Sequence, residues 1–194
     1  MTDETGMSDE WRLIQQATEG DENAYGILFE RHLDAIYRYI YFRIGNEPEA
    51  EDLSVEVFVK AWEAMPNFEP GSERSFYTWL YRIAHNLIID FHRKKKPLSW
   101  TSEQLALEET RLPSVEDAAH HRSNSDRLAH AIQQLNDVEQ QVIILRFIEG
   151  LSHSEIAGVI DKSEGASRII QHRALSNLRT ILLENQTEES LRDE

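Results

Sequence analysis

Trp79, Arg82 and Asn86 stand three and four residues apart, and Ser75 and Arg93 continue the same line on either side. At about 100° per residue, these five positions form one strip of a helix. The strip joins a large aromatic ring, an amide and two guanidinium groups. An indole can stack on a nucleobase, an amide can read a base edge, and guanidinium groups take phosphates. The strip runs into Arg93, Lys94, Lys95 and Lys96. Four cations suit the negative end of a helix dipole and also make a phosphate site. The same residues fit a second reading, a core helix with a solvated basic tail and Trp79 turned into the core.

No other cluster promises catalysis. Asp52 and Glu56 are four apart on one helix face, but they stand among other acids with no cleft indicated. A solvated face accounts for them equally well. No nucleophile and base are arranged as an enzyme needs them, so the chain is not expected to be an enzyme. The absence of cysteine excludes disulfides and thiolate metal sites. His120 and His121 are the one adjacent histidine pair, and neither a metal nor a cofactor is expected. His85 and His92 are expected to flank nucleic acid or solvent.

The 194 residues fit one domain or two small ones. No apolar run approaches spanning length, so no membrane insertion is expected. The polar, acidic start M-T-D-E-T-G-M-S-D-E is no signal peptide, which points to the cytoplasm. A net charge of −15 argues against a simple nucleic-acid binder. Yet the charge is uneven. Glu47, Glu49, Glu51, Asp52, Glu56 and Glu63 face only Lys60 in one stretch. The next stretch sets Arg74, Arg82 and the run Arg93–Lys96 against Glu73 and Asp90. An acidic helix beside a basic one suggests two partners of opposite sign.

The elements that must position these residues read as helices throughout, an all-α fold. An acidic tail covers 1–8 and a short helix 9–18. Asp21 caps a helix running to about Ile44, closed by Gly45. Pro48 starts a third helix with Leu53, Val57, Phe58, Ala61 and Trp62 as its apolar stripe. Ser72 is the expected cap of the basic helix, whose buried face is Phe76, Leu80, Ile83, Leu87 and Phe91. From Pro97 to about Asn124 periodicity stops and acids gather. That length of structureless chain inside one domain would be unusual, so two helical domains joined by a flexible acidic linker are expected. The second holds a helix near 125–135, then one from Asn136 to Gly150. A short helix from Ser152 and a long one from Ser163 follow. Asn136 with Glu139 and Ser152 with Glu155 have capping-box spacing. The short helix, tight turn and longer helix predict a helix-turn-helix. The longer helix has Ala166, Ile170, Ala174, Leu178 and Ile181 as its buried stripe. The tail from Asn185 reads as disordered.

In this order, three stretches resemble the extracytoplasmic-function class of the sigma-70 family of transcription initiation factors. They are E-A-E-D-L-S-V-E-V-F-V-K-A-W at 49–62, F-Y-T-W-L-Y-R-I-A-H-N-L-I-I-D-F-H-R-K-K-K at 76–96, and L-N-D-V-E-Q-Q-V-I-I-L-R-F-I-E-G-L-S-H-S-E-I-A at 135–157 continued by S-E-G-A-S-R-I-I-Q-H-R-A-L-S-N-L-R at 163–179. The resemblance implies a region 2 domain at 9–97, a linker at 98–124 and a region 4 domain at 125–184. It implies an alternative sigma factor whose partners are core RNA polymerase, promoter DNA and an anti-sigma factor.

By the same resemblance, Glu51, Asp52, Leu53, Glu56 and Phe58 meet the polymerase clamp. Phe68, Ser75, Trp79, Arg82, Asn86, Arg93, Lys94 and Lys95 serve the −10 element, with the loop 67–75 as a pocket for a flipped base. Ser163, Glu164, Arg168, Gln171, His172 and Arg173 serve the −35 element. Two positions depart from the family pattern. Val55 stands where Gln is common, and Ser167 stands where Val is usual, so a buried hydroxyl there needs a partner. The alternative function is a helix-turn-helix regulator that binds DNA on its own.

Overall fold

The computed structural model describes residues 4–69, 76–95 and 124–192. The expected cap Ser72, Ser75, Lys96, the linker at 98–123 and the pair His120–His121 lie outside the described residues. Among the described residues there are eight α-helices and no strand: α1 Glu4–Thr18, α2 Glu22–Ile44, α3 Glu47–Ala64, α4 Phe76–Lys95, α5 Asn124–Gln133, α6 Asp137–Ile143, α7 His153–Ile160 and α8 Glu164–Arg192.

Local chemistry sets most of the boundaries. The Asp21 carboxylate accepts from the backbone N–H groups of Asn23 at 2.8 Å and Ala24 at 3.1 Å, which starts α2. Gly45, at φ 68°, takes the left-handed conformation that ends it. The Asn46 side chain caps α3 by accepting from Glu49 N–H at 3.0 Å, with Pro48 in the first turn. Two termini run further than the sequence reading foresees. α1 begins at Glu4 instead of Asp9, and α8 continues past Asn185 to Arg192. Neither extension contains proline or a stop signal, and acids near the start of α1 suit its dipole.

The first half packs α1 and α3 on α2, and α4 on both α2 and α3. Leu28, Ile36, Ile40, Val57, Ala61, Leu80 and Ile88 are fully buried at its centre. In the second half α6 and α7 pack on α8, around Ile132, Ile144, Leu145, Ile156 and Ala174. The helix expected to run unbroken to Gly150 widens after Ile143 into a π turn over Ile144–Ile148. There Glu149 N–H donates to Ile144 O at 3.0 Å. The wide turn leaves Phe147 more than half exposed and places the Glu149 carboxylate inside.

The expectation of two separate cores meets a different arrangement. The apolar core is continuous across both halves. α5 and the π turn lie on α2, and α7 lies on α4. Polar groups fasten this seam. Arg43 forms an ion pair with Asp137. Arg38 donates twice to Glu149, at 3.1 and 2.9 Å, and Tyr81 donates to the same carboxylate at 3.2 Å. His85, expected beside nucleic acid or solvent, instead sits 2.9 Å from the Gln141 amide nitrogen. Gly158 lets α7 approach: a Cβ there would meet the Thr78 methyl at 3.3 Å. This seam explains why α4 buries Thr78, Tyr81, Ala84 and Ile88 beyond its expected stripe.

Candidate nucleic-acid and partner interfaces

On α4, the strip keeps the character its sequence promises. The Trp79 ring is half-buried, 4.7 Å from the Phe68 ring and 5.6 Å from the Phe76 ring. Phe68 and Phe76 lie 5.8 Å apart, edge to face. Three rings therefore hold one another at the start of α4. Both readings of Trp79 find a place in this arrangement, since the ring packs on the core and still meets solvent. Arg82 follows half-buried and Asn86 exposed. Arg93 and Lys94 are exposed near the C-terminal end, and Arg93 is paired with Asp90 at 2.9 Å. The backbone of Lys95 closes the helix. Along α4 the chain thus sets a half-buried aromatic ring, a half-buried guanidinium, an exposed amide and two exposed cations in that order.

The acidic helix α3 divides its five candidates. Glu51, Asp52 and Glu56 are exposed, with Glu56 3.7 Å from Lys60. Leu53 and Phe58 are 7% and 3% exposed. These two hold α3 in the core and present little to a partner. The exposed apolar residues are Val55 and Val59, 53% and 51% exposed. With Glu22, Tyr25, Phe29, Phe58 and Trp62 they line an open groove of about 310 Å³ between α2 and α3. Its walls are fixed by ring contacts, Tyr25 to Trp62 at 4.8 Å and Phe29 to Phe58 at 4.9 Å. Tyr25 Oη donates to Phe58 O at 2.5 Å. The groove went unread in the sequence, although Val55, Val59 and Trp62 have the i, i+4, i+7 spacing of a helical stripe.

In the second half, Asp161 takes the left-handed conformation at φ 53° and turns the chain from α7 to α8. The Ser152–Glu155 capping box is complete at 2.8 and 3.3 Å. Ser163 caps α8 through Ala166 N–H at 3.1 Å. Ser167 is fully buried, and its hydroxyl lies 3.0 Å from His153 Nδ1, the partner its burial requires. Desolvation, and then Arg168 and Arg146 nearby, hold the His153 pKa below its ordinary value.

The −35 candidates separate by their surroundings. Arg168 and His172 are exposed, and Arg168 is ion-paired with Glu164 one turn earlier. Gln171 is half-buried with its Oε1 enclosed and without a partner, so it faces the domain interior more than a groove. Arg173 Nε donates at 2.6 Å to Glu139, whose side chain is 2% exposed. Asn177 donates to the same carboxylate at 3.1 Å. This corrects the expected Asn136–Glu139 capping box. Asn136 does cap α6 at 3.0 Å, but Glu139 turns away to α8. Among the described residues no group of three histidines or carboxylates could hold a metal ion, and no helix is long and apolar enough to cross a membrane.

Comparison with known proteins agrees with this geometry. Residues 28–97 match sigma-70 region 2 and residues 131–180 match sigma-70 region 4. The chain is 34% identical to the ECF RNA polymerase sigma factor SigW of Bacillus subtilis, over 87% of this chain and 94% of SigW. It is 36% identical to the ECF RNA polymerase sigma factor BldN of Streptomyces coelicolor, over 88% of this chain and 64% of BldN, so it spans just under two thirds of that relative. Among solved structures, CnrH in complex with the cytosolic domain of CnrY is 28% identical, with a TM-score of 0.68 over 90% of this chain and 97% of that one. The sigma factor RpoE of Bartonella quintana, solved with the anti-sigma factor NepR, shares the fold at 20% identity and a TM-score of 0.63, over 81% of this chain and 96% of RpoE. Region 2 carries the acidic and basic helices and region 4 carries the helix-turn-helix: the chain belongs to the extracytoplasmic-function class of the sigma-70 family of transcription initiation factors.

Proposed function

We propose that this chain is an alternative, dissociable sigma factor acting in the cytoplasm, with residues 9–97 serving core polymerase and the −10 element and residues 125–184 serving the −35 element. The linker at 98–124 joins them. The single observation that carries this reading is the polarity of the first half. One helix, α3, offers exposed Glu51, Asp52 and Glu56 beside an apolar groove, and its neighbour α4 offers Trp79, Asn86, Arg93 and Lys94. A protein partner with basic flanks fits the first face, and a nucleic-acid strand fits the second.

On this reading Glu51, Asp52 and Glu56 set the charge of the polymerase contact, with Leu53 and Phe58 holding the helix beneath them. Val55 and Val59 add an apolar centre. Phe68 and Trp79 form the floor against which a −10 base is held, and Ser75 is a further contact to that element. Arg82 and Asn86 line the strand, and Arg93, Lys94 and Lys95 take its phosphates. In region 4, Ser163 and Glu164 open the reading helix, Arg168 and His172 meet the major groove, and Glu139 orients Arg173 towards a phosphate. Gln171 serves as a spacer at the edge of that face. Control by an anti-sigma factor completes the proposal. The arrangement that keeps both DNA faces in one packed body is one an inhibitor could hold.

A gel shift of promoter DNA with and without core polymerase tests the proposal. A sigma factor shifts the DNA only when core polymerase is present. A self-sufficient helix-turn-helix regulator shifts it alone, and that result would replace the reading.

A further inference from the structure

Ile169 is 72% exposed, the most exposed large apolar side chain among the described residues. It lies on α8, two residues beyond the buried Ser167 and one beyond Arg168. The buried line of α8 is Ser167, Ile170, Ala174 and Leu178, the last three at least partly buried on the core. At about 100° per residue, Gly165, Ile169, His172 and Ser176 fall on the opposite side. All four are exposed. Gly165 sits one turn before Ile169, and a Cβ there would meet nothing within 4 Å. The helix is therefore bare beside Ile169, and its backbone can approach a surface closely. Gln171, by contrast, lies near the buried side with its Oε1 enclosed. The outward face of α8 thus centres on Gly165 and His172, flanked by Arg168 on one edge and Ile169 on the other.

The geometry points to Ile169 as a specificity-determining residue that reads the 5-methyl group of a thymine in the −35 element. The inference rests on the proposal that α8 enters the major groove. In that groove each thymine presents an O4 acceptor and a methyl group, and the methyl is read by apolar contact. The first turns of a recognition helix are the ones that reach base edges. Ile169 stands in the second turn, between groups suited to other edges: Arg168 to guanine, His172 to a neighbouring acceptor. A branched aliphatic side chain exposed at this point has no hydrogen-bonding use. Among the base features of the major groove, the thymine methyl is the one read by apolar contact.

The test isolates one methyl group. Core polymerase with the full chain first selects −35 sequences from a randomised double-stranded promoter library. Each thymine of the selected element is then replaced singly by deoxyuridine, which removes the methyl and keeps the base pair. Open-complex formation is expected to fall about fourfold at one thymine, the factor that burial of one methyl-sized group supports. Ile169→Ala should bring the thymine and deoxyuridine promoters to the same level, while Ile169→Val should keep part of the difference. Position 169 is exposed and helical, so Ala leaves the fold intact. If the holoenzyme selects no −35 sequence at all, the sigma-factor reading fails and this inference with it. If it selects one in which no thymine responds to loss of its methyl, or if Ile169→Ala retains the difference, the inference alone is overturned.

Discussion

Arg43 on α2 and Asp137 at the start of α6 form an ion pair across the two halves of the chain, and their exposures are unequal. The Arg43 side chain is 2% exposed and that of Asp137 52%. Arg43 also donates to Tyr39 Oη at 3.1 Å. A buried guanidinium left without its carboxylate is costly, whereas a half-exposed carboxylate left alone can be hydrated. Asp137→Ala should therefore destabilise the packed form by about 1–3 kcal/mol, discounted for the water that reaches Asp137. Asp137→Ala combined with Arg43→Leu should recover much of that loss. Thermal unfolding of the two variants decides it. A melting temperature for Asp137→Ala equal to that of the wild type would show that the seam does not depend on this pair. Equal values for the single and double variants would show that the unpaired guanidinium is not the source of the loss.

The seam has a geometric consequence. The −10 and −35 elements lie about 25 base pairs apart, which is about 85 Å at 3.4 Å per pair. The 20 residues of α4 are only about 30 Å long, and α7 of the helix-turn-helix packs directly on them. If α4 serves the −10 element and α8 the −35 element, as proposed, the packed arrangement is too short to place them on both at once. Labels on the two halves, measured by energy transfer, should move apart when core polymerase binds, and Asp137→Ala should lower the barrier to that movement. An unchanged distance in the holoenzyme would contradict this opening.

His85 adds a dependence on pH at the same seam. Burial is the main reason its pKa lies below the ordinary value, Arg43 lowers it further, and Asp137 acts in the opposite direction. The folded state thus holds His85 neutral where the unfolded chain would bind a proton. Stability rises with pH wherever the unfolded state binds more protons. The contribution is complete above about pH 6.5, the ordinary histidine value, and is lost as pH falls from there towards the folded value. Between pH 7 and 5 the packed form should weaken, and His85→Gln should flatten that slope. Parallel slopes for wild type and variant in chemical denaturation would assign the effect to another group.

How far these features were legible in the sequence follows from where each is decided. Caps and stripes are local, so Asp21, Ser152 and the buried lines of α3 and α8 could be read from spacing alone. The seam is decided by residues far apart in sequence. Nothing near His85 signals Gln141, and nothing near Glu149 signals Arg38. Glu139 shows the competition directly. Its spacing from Asn136 favours a local cap, but Arg173 and Asn177, 34 and 38 residues away, take its carboxylate instead. The candidate DNA strip was legible because Trp79, Arg82 and Asn86 share one face of one helix. The groove at Val55 and Val59 was harder to see, because one of its walls belongs to α2.

The charges of α3 can be tested apart from its fold. Asp52 and Glu56 are both exposed, and Val59 is half-exposed, so none is needed for burial. Asp52→Lys with Glu56→Lys should abolish capture of core polymerase while leaving the helical circular dichroism unchanged. Val59→Asp should weaken capture without changing its dependence on salt to the same degree, since it removes apolar contact and adds a charge of the existing sign. Wild-type capture by the double lysine variant would remove α3 from the polymerase interface.

Reading and holding can be separated by comparing Arg168 with Lys94. Arg168 is exposed in the second turn of α8, where it is paired with Glu164 at the edge of the outward face. If it donates two hydrogen bonds to a guanine, Arg168→Ala should cost about 1–3 kcal/mol at promoters carrying that base. The cost should shrink when the base is changed. Lys94 is exposed near the C-terminal end of α4, where a cation meets backbone phosphates whatever the sequence. Lys94→Ala should weaken all promoters alike and lower the salt slope by about one. Open-complex formation by the holoenzyme, followed over several salt concentrations and two promoter sequences, distinguishes the two. Should Arg168→Ala instead lower both promoters equally and reduce the salt slope, Arg168 is a phosphate clamp. Base reading on α8 would then fall to His172 and Ile169.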